Sequence, residues 1–212
     1  CIGTVADTIY GSTPSGTEYV YQWQYSVNGS SFTNIITNGS FKDYAPGTLS
    51  DTTWFRRLLL NGCRTDTIFS DTVLILVNPL PTIDAGNPSA ICLGDTAMLQ
   101  GSGGVNYSWT PVATIINPNQ DTTGANPTTT TKYYLNATDI NGCAGQDSVV
   151  VTVNPLPVIS AGNPSVICIG DTALLQGSGG VTYNWTPSVA IFNPTQDTTE
   201  ANPTTTTKYY LV

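Results

Sequence analysis

The sequence predicts an all-β protein organised as a tandem array of antiparallel β-sandwich modules. Residues 79–135 and 155–211 align over 57 positions without a gap, and 44 of these positions are identical. Cys92 and Cys168 hold the same place in the two copies and are 76 residues apart (168 − 92). A fixed period of this length indicates an array of like modules. Short alternating stretches recur between turn signals, and no stretch has a sustained helical period, so the modules are expected to be sandwiches.

The repeat divides the chain into three expected modules. They cover residues 1–78, with the N-terminal strand missing, residues 79–154, and residues 155–212, which stop before their last strand. Residues 1–78 are a more distant copy that keeps a Cys-x-Gly near its start and an Asn-Gly-Cys near its end. The chain begins without Met and inside a repeat, so it is expected to be a fragment of a longer array.

The first module contains two strand signals and one turn signal. Residues 19–25 alternate aromatic residues with smaller or polar ones, which is the period of a half-buried strand. Asn28-Gly29 is a hairpin turn signal. Residues 71–78 (DTVLILVN) match residues 147–154 (DSVVVTVN) and are expected to be the last strand of the module.

The second module is predicted to contain seven short strands. They are expected near Thr82–Ala85, Asp95–Gly101, Val105–Thr110, Thr114–Ile116, Asp121–Ala125, Thr131–Thr138 and Asp147–Val153. Two rows of alternate residues are predicted to point into the core, because side chains of a strand alternate between its faces. The rows are Val105, Tyr107 and Trp109, with Asn106 and Ser108 facing solvent, and Val149, Val151 and Val153.

The joints between modules carry two prolines in four residues, at Asn78-Pro79-Leu80-Pro81 and at Asn154-Pro155-Leu156-Pro157. Proline restricts both its own backbone and that of the preceding residue, so each joint is expected to be extended and semi-rigid. The sequence therefore predicts modules arranged end to end.

The composition argues against several classes of partner. Charged residues make up 9% of the chain, the net charge is −8, and the six basic residues form no sustained patch, so no nucleic-acid partner is expected. The longest purely aliphatic run, residues 73–77, is far shorter than a membrane span, which needs about 20 residues. No cofactor motif is present. Gly101-Ser102-Gly103-Gly104 lacks the Lys of a phosphate loop and is interpreted as a turn.

The five cysteines are interpreted as a disulfide framework. Each module has one cysteine near its start and one near its end, which predicts Cys1–Cys63 and Cys92–Cys143 bridges and leaves Cys168 to a partner near position 219. Disulfides place the chain in an oxidising compartment outside the cytosol. Zinc binding is the alternative, but the chain has no histidine and no CxxC pair. Lipidation of Cys1 is a further alternative.

Three stretches carry a resemblance to a known class of repeat. They are Pro-Thr-Thr-Thr-Thr-Lys-Tyr-Tyr-Leu (127–135), Thr-Asp-Ile-Asn-Gly-Cys (138–143) and Val-Asn-Pro-Leu-Pro (153–157). The pattern resembles the Ig-like and PKD-like repeats of large secreted surface proteins of the Bacteroidota, including gliding-motility-associated adhesins and other cargo of the type IX secretion system. The resemblance implies an Ig-like sandwich and a location on the cell surface. The acidic Gly-Asp-Gly stretch of the PKD family is absent after Trp109.

A short motif, Asp followed by Thr or Ser, occurs nine times and is similar to the O-glycosylation signal of exported Bacteroidota proteins. The resemblance implies O-glycans on these hydroxyls, where they would shield a chain with few charges. The alternative is that Asp-Thr opens strands by bonding to local backbone. The candidate residues are Thr8, Thr52, Thr67, Thr72, Thr96, Thr122, Ser148, Thr172 and Thr198.

No catalytic constellation is present, and the chain is predicted not to be an enzyme. Without histidine there is no Ser-His-Asp or Cys-His arrangement. Glu18 and Glu200 are the only glutamates, so paired-carboxylate hydrolysis would depend on scattered aspartates. Calcium at Asp84 or Asp139, near a module joint, is the remaining metal hypothesis.

The sequence supports one leading function and two alternatives. The leading hypothesis is a structural segment of an extracellular adhesin, stalk or filament, whose partners are neighbouring modules of the same chain and, through lateral association, other filaments. The second is a carbohydrate- or protein-binding array that uses exposed aromatics such as Tyr10, Tyr44 or Trp54. The third is an accessory segment of a secreted enzyme.

Overall fold

The structure is a computed structural model of the chain, and it describes residues 1–15, 19–61 and 67–212. These residues form two compact units, 1–152 and 153–212. Regular structure in the described residues is β-strand apart from one short 3₁₀ helix, and every strand pair with a defined register is antiparallel. The predicted all-β fold class is confirmed.

Residues 1–78 contain the first seven strands. These are β1 (Val5–Ala6), β2 (Tyr19–Ser26), β3 (Thr33–Asn34), β4 (Gly47–Thr48), β5 (Thr53–Asn61), β6 (Thr67–Phe69) and β7 (Val73–Ile75). The main sheet has the order β3-β2-β5-β6, with β7 also paired to β5, and β1 pairs with β4 separately. Asn28 lies in the loop between β2 and β3, where its Oδ1 accepts hydrogen bonds from the N–H groups of Ser30 and Ser31.

Alternation along β2 and β5 builds the core of these residues. Trp23 in β2 and Phe55 in β5 point to the same side and are almost fully buried. Their neighbours along the two strands are half-buried; these are Gln22, Gln24, Trp54 and Arg56. Tyr44 lies between them, with ring centroids 5.9 Å from Trp23 and 5.8 Å from Phe55. The aromatic pattern of β2 therefore supplies a core of tilted ring contacts.

Residues 79–154 form a two-layered sandwich. Its elements are β8 (Ser89–Cys92), β9 (Ala97–Gln100), β10 (Asn106–Thr110), a 3₁₀ helix (Val112–Thr114), β11 (Thr122–Ala125), β12 (Thr131–Thr138) and β13 (Ala144–Asn154). One sheet has the order β10-β12-β13-β8, and the other is β9 with β11. Between them lies a single core of buried apolar side chains centred on Trp109, Tyr133, Leu135 and Val151.

Five of the seven strands predicted here coincide with an observed strand, and two shrink to single bridges. Thr82–Ala85 keeps only the Asp84–Ser102 bridge, and Thr114–Ile116 keeps only the Ile115–Ala125 bridge. Strand formation in the first stretch is limited on both sides. Pro79 and Pro81 precede it, and Gly86, with a left-handed φ of +78°, follows it. Strand β8 was not predicted. Its four residues are flanked by turn signals, and it forms a strand only by pairing with β13, which is distant in sequence.

The predicted inward row of β10 needs one correction. Trp109 is fully buried and Tyr107 half-buried, but Val105 is 57% exposed. Val105 precedes the first ladder residue of β10 and lies at the rim of the sheet, where no second layer covers it. In β13, Val149 and Val151 are buried and Val153 is half-buried.

Residues 153–212 repeat part of the same arrangement. Their strands are β14 (Ala173–Gln176), β15 (Trp185–Thr186), β16 (Thr198–Ala201) and β17 (Tyr210–Leu211). Ala173 pairs with Ala201 in β14–β16 as Ala97 pairs with Ala125 in β9–β11. Trp185 is buried as Trp109 is. The two sequence copies therefore use the same register.

Candidate functional site: the Cys1–Cys143 disulfide and exposed Asp-Thr turns

Cys1 and Cys143 form a disulfide within the first unit. Their Cα atoms are 5.4 Å apart, and the bridge spans 142 residues of sequence. Cys143 is fully buried, whereas Cys1 is half-buried. The bridge thus joins the Cys-x-Gly of residues 1–78 to the Asn-Gly-Cys of residues 79–154.

The Cys-x-Gly segment folds as a tight turn. The carbonyl of Cys1 accepts hydrogen bonds from the N–H of Thr4 at 3.2 Å and from its Oγ1 at 2.7 Å. Gly3 has a φ of +79°, a conformation that glycine adopts without steric cost. The same backbone bond recurs from Asp95 to Cys92 and from Asp171 to Cys168, so the turn is a repeated element of the modules.

Asp139 organises the turn that presents Cys143. Its Oδ1 accepts hydrogen bonds from the backbone N–H groups of Asn141 at 2.9 Å and Cys143 at 2.8 Å. The backbone closes the loop in both directions, with the N–H of Asp139 bonded to the carbonyl of Cys143 and the N–H of Gly142 bonded to the carbonyl of Asp139. The Asp-x-Asn-Gly-Cys sequence therefore fixes the position of Cys143 in the turn between β12 and β13.

The path of residues 78–85 explains why Cys1 reaches Cys143. The N–H of Ile2 donates to the carbonyl of Asn78 at 3.0 Å, which holds Cys1 against the start of the joint. A few residues later Pro81 lies beside the start of β13, since a Cβ on Gly145 would come within 2.9 Å of the Pro81 carbonyl oxygen. The joint therefore brings the first turn of the chain to the Asn-Gly-Cys turn.

The predicted pairing of cysteines is corrected by this bridge. The contacts of residues 81–85 advance in the same direction as β13, since a Cβ on Gly145 would lie 2.9 Å from the Pro81 carbonyl oxygen and Ala85 bonds to Asp147 two residues further on. The N–H of Ala85 donates a hydrogen bond to Oδ2 of Asp147 at 2.8 Å, and Cys92 comes seven residues later, up to about 20 Å further along. The Cα atoms of a disulfide lie within about 7 Å. Cys92 therefore ends β8 at the opposite end of β13 from Cys143.

The structure shows no disulfide at the other cysteines that it describes. Cys92 and Cys168 are exposed free thiols. Cys63, the predicted partner of Cys1, lies outside the described residues, as do Glu18 and Asp66. A partner for Cys168 near position 219 stays a prediction.

The nine candidate hydroxyls of the Asp-Thr and Asp-Ser motifs lie mostly on the surface. Thr52 and Ser148 are half-buried, and Ser148 lies within β13. Thr52 Oγ1 also accepts a hydrogen bond from the N–H of Val77 at 3.0 Å. The other seven are exposed; they are Thr8, Thr67, Thr72, Thr96, Thr122, Thr172 and Thr198.

The two Asp-Thr-Thr sites show how strand geometry separates neighbouring hydroxyls. The N–H of Thr122 donates to Oδ1 of Asp121 at 2.7 Å, and its side chain is exposed. Thr123 is buried, and its Oγ1 accepts a hydrogen bond from the N–H of Asn117 at 3.0 Å. The same pair of environments recurs at Thr198 and Thr199. Only the first threonine of each pair is accessible to an enzyme that attaches a sugar.

The aspartates of these motifs also have a local structural role. Thr67, Thr122 and Thr198 are the first residues of their strands, and Thr72, Thr96 and Thr172 immediately precede a strand. Asp-Thr therefore opens strands, as the alternative interpretation holds, and it does so with the hydroxyl exposed. The two interpretations are compatible.

A cleft in residues 1–78 was not foreseen from the sequence. It has a volume of about 520 Å³, and its lining includes Tyr25, Asn34, Tyr44, Asp51 and Phe55. Phe55 is buried, whereas Tyr25 is exposed on the rim. Burial raises the pKa of the Tyr44 hydroxyl.

The aromatic residues predicted for ligand binding are not brought together. Tyr10 is 81% exposed and is not part of the cleft lining. Tyr44 is half-buried within the core rings and lines the cleft. Trp54 is half-buried and covers Gly29, where a Cβ would lie 3.2 Å from its ring.

Arg57 is a buried cation that the sequence did not single out. Its Nη1 donates to the carbonyl of Lys42 at 2.9 Å and its Nη2 to the carbonyl of Ser12 at 2.7 Å. The guanidinium lies 4.7 Å from the ring centroid of Tyr21. Arg57 therefore ties two loops to β5 with charge-assisted hydrogen bonds, which is a structural role.

The described residues hold no cluster of three or more His, Cys, Asp or Glu side chains that could bind a metal ion. Oδ1 of Asp84 accepts the N–H of Gly86, and Oδ1 of Asp139 is used by the turn above, so each of these aspartates serves its own loop. Among these described residues the one helix, Val112–Thr114, is far too short to span a bilayer.

Two family models match consecutive parts of the chain. Residues 79–155 match the family described as "Ig-like domain CHU_C associated", which supports an Ig-like domain in this part of the chain. Residues 1–79 match a domain of unknown function. None of the curated proteins matches the sequence.

Similar solved structures include human desmocollin-1 ectodomain (13% identity, TM-score 0.31), Sidekick-1 immunoglobulin domains 1–4 (16%, 0.29) and mouse cadherin-23 EC22–24 (11%, 0.38). They cover 90%, 96% and 97% of this chain, respectively. The chain spans 47%, 62% and 83% of those structures. At these identities and scores the likenesses carry no argument about ligand or partner.

Proposed function

We propose that the chain is a non-catalytic structural segment of an extracellular adhesin, stalk or surface filament. The proposal takes in three further expectations from the sequence: residues 1–78, 79–154 and 155–212 are separate modules, some of the Asp-Thr hydroxyls carry O-glycans, and the source is a Bacteroidota surface protein. The Ig-like family match of residues 79–155 supports the module type. The disulfide supports an oxidising, extracellular location.

The Cys1–Cys143 bridge is the observation that carries this proposal. Tension applied to the two ends of the chain enters at residue 1, crosses the bridge and continues from residue 143. The residues between the two cysteines then lie outside the stretched path, because a covalent bond connects its ends. A segment of this kind keeps its length under load, which is the property that a stalk or filament needs.

Pulling the chain between handles at its two termini tests the proposal. In the oxidised chain, complete unfolding should release only the residues after 143, 69 residues (212 − 143) or about 24 nm of contour. Addition of a reductant should release a further 142 residues, about 50 nm. Release of the full contour length before reduction would contradict the proposal, because the residues between Cys1 and Cys143 would then have been stretched.

The O-glycan and compartment parts need a separate experiment. Peptide-mapping mass spectrometry of natively sourced protein, without reduction, should find a Cys1–Cys143 linked peptide and sugar masses on Asp-Thr peptides. Bare threonines with an intact bridge would keep the structural segment and remove the glycans. Free thiols at Cys1 and Cys143 would overturn the extracellular assignment.

The cleft of residues 1–78 favours one second candidate, a carbohydrate- or protein-binding module, which could be accessory to a secreted enzyme. Tyr25 at the rim is the residue to test, because it is exposed and the core does not depend on it. A glycan array that shows binding by the chain, lost in Tyr25→Ala and kept in Tyr10→Ala, would favour this candidate. Absence of binding in the unaltered chain would leave the structural function alone.

A further inference from the structure

The guanidinium of Arg56 lies between two phenyl rings on the outer face of the main sheet of residues 1–78. Its Cζ is 3.9 Å from the ring centroid of Phe32 and 4.1 Å from that of Phe69. We propose that Arg56 and these two rings bind a carboxylate side chain of a partner protein. The cleft described above is a separate surface, because its lining contains none of the three residues. This inference does not depend on the function proposed above.

Strand alternation and one cross-strand pair position Arg56. Phe55 and Arg57 are buried on the core side of β5, so Arg56 between them points to the opposite side of the sheet. Gln24 of β2 is its cross-strand partner, and Nε of Arg56 donates a hydrogen bond to Oε1 of Gln24 at 2.8 Å. Gln24 is held in turn, because its Nε2 donates to Oδ1 of Asn34 at 2.7 Å. Two rings and one hydrogen bond therefore fix the guanidinium.

The two Nη atoms of Arg56 are the part of its side chain that is left unused. Among the residues that the structure describes, no oxygen accepts a hydrogen bond from them and no carboxylate lies within ion-pair distance. Arg57 differs, since both of its Nη atoms donate to backbone carbonyls. A guanidinium presents its N–H groups as a planar fork that fits the two oxygens of a carboxylate. Rings over both faces keep water away from the Arg56 fork, which strengthens a bond made there.

The charge of the site favours a carboxylate over a phosphate. A phosphate group carries about two negative charges at neutral pH. The site offers one cation, and the chain as a whole has a net charge of −8, which repels multiply charged anions. A single carboxylate is therefore the oxyanion that Arg56 matches.

The surroundings of Arg56 favour a protein over an acidic sugar as the source of the carboxylate. Val20, Phe69 and Leu74 are exposed, and the strand register places them on the same face as Arg56. Sugar hydroxyls need hydrogen-bond partners when they leave water, and these side chains provide none. Apolar side chains would be buried favourably there, and arginine with aromatic residues is the combination enriched in protein interfaces. The occupant is therefore an Asp or Glu side chain flanked by apolar residues.

Peptide selection on the full chain tests the proposal. A phage library of random heptapeptides is selected on the immobilised chain and, in parallel, on Arg56→Gln. Peptides enriched only on the unaltered chain should carry one Asp or Glu between apolar residues. The leading peptide, synthesised with a fluorophore and followed by anisotropy, should bind Arg56→Gln about 10- to 100-fold more weakly, because a charge-assisted hydrogen-bonded pair is lost. Replacement of the peptide's own carboxylate by an amide should weaken binding to a similar extent.

Four further variants separate the site from other causes, with circular dichroism to show that each one folds. Arg56→Lys keeps the charge but removes the fork, so binding should weaken about tenfold. Phe32→Leu removes one ring and should weaken binding about two- to fivefold. Lys132→Gln removes a cation that lies 5.1 Å from the ring centroid of Tyr134 on a different sheet, and should bind normally. Tyr25→Ala alters the cleft on the other face of β2 and should also bind normally.

Several results would overturn the proposal. One is a selection in which no peptide is enriched over Arg56→Gln, or in which the enriched peptides lack a carboxylate. Another is unchanged binding in Arg56→Lys, or an equal loss in Lys132→Gln, either of which would reduce the effect to general charge attraction. Loss in Tyr25→Ala alone would assign the peptide to the cleft. A glucuronate oligosaccharide that binds more tightly than the peptide, and fails to bind Arg56→Gln, would contradict the assignment to a protein.

Discussion

The hydroxyl oxygens of Thr114 and Tyr133 lie 2.5 Å apart and share a hydrogen bond. The counterparts of these residues in the next repeat are Ala190 and Tyr209, and the buried hydroxyl of Tyr209 has no partner. Ala190 has a φ of +65°, so a threonine at that position would be strained. The same tyrosine is therefore satisfied in one copy and unsatisfied in the other.

Removal of the two hydroxyls should consequently have different effects. Tyr133→Phe breaks a buried hydrogen bond and leaves the Thr114 hydroxyl without its partner, so local stability should fall by about 1 kcal/mol. Tyr209→Phe removes an unsatisfied group and should leave stability unchanged or raise it. Native-state hydrogen exchange of β12 and of residues 207–211 measures each effect in its own repeat. An equal loss in both variants would contradict the assigned partners.

The disulfide predicts a contrast between two cysteine variants. Cys1→Ser should lower the free energy of unfolding of residues 1–152 by about 2–4 kcal/mol, because the bridge closes a loop of 142 residues. Cys92→Ser, which changes an exposed free thiol, should have no effect. Denaturant unfolding without reductant measures both. Addition of reductant should erase the difference between Cys1→Ser and the unaltered chain.

Two outcomes would contradict the bridge. One is an unchanged stability in Cys1→Ser, and the other is a loss in Cys92→Ser as large as that in Cys1→Ser. The second outcome would point to the Cys92–Cys143 pairing that the spacing first suggested.

The fold class was accessible from the sequence because alternation and repeats are local signals. Trp23 and Trp109 are buried as the period of their strands predicts. Strand β8 was missed, since four residues after Asn-Pro carry too little pattern, and a partner in β13 about 55 residues later decides their structure. Val105 was misplaced because alternation does not indicate where a sheet ends.

The pairing of the cysteines could not be predicted from the sequence, for a different reason. Spacing within a module suggested that its own two cysteines pair, but a strand of the length of β13 holds Cys92 and Cys143 at opposite ends. Cys1 comes close to Cys143 only through the path of the joint after Asn78. The cleft beside Tyr44 and the loop contacts of Arg57 are likewise products of long-range packing, and no local motif marks them.

Strand geometry predicts which threonines of the Asp-Thr-Thr sites carry sugar. If the proposed O-glycan is attached here, Thr122→Ala should remove it from its peptide, whereas Thr123→Ala should leave it in place, because Thr123 is buried. Expression in a host that glycosylates the natural protein, followed by intact-mass and peptide mass spectrometry, measures both. Loss of sugar in Thr123→Ala with Thr122→Ala unaffected would contradict the assignment.

The Asp147 carboxylate predicts a loss of stability in acid. Hydrogen bonds from the backbone N–H of Ala85 and of Ser148 hold the pKa of Asp147 below its usual value, with a smaller contribution from the charge of Lys132. A carboxyl whose pKa is lower in the folded state stabilises that state fully above its unfolded pKa of about 4. This contribution is lost as the pH falls from about 4 through the folded pKa.

Asp147→Asn removes the titrating group and is the variant that tests this. At pH 7 the residues of the first unit should be less stable in Asp147→Asn, because a neutral amide oxygen is a weaker acceptor for the Ala85 N–H. Below about pH 4 the unaltered chain should lose stability more steeply than the variant, so that the two unfolding curves approach each other. Asp71→Asn, at the matching exposed position before β7, is the control and should keep the acid dependence of the first unit. Parallel curves for Asp147→Asn and the unaltered chain between pH 2 and pH 7 would show that the carboxylate does not stabilise the fold through these bonds.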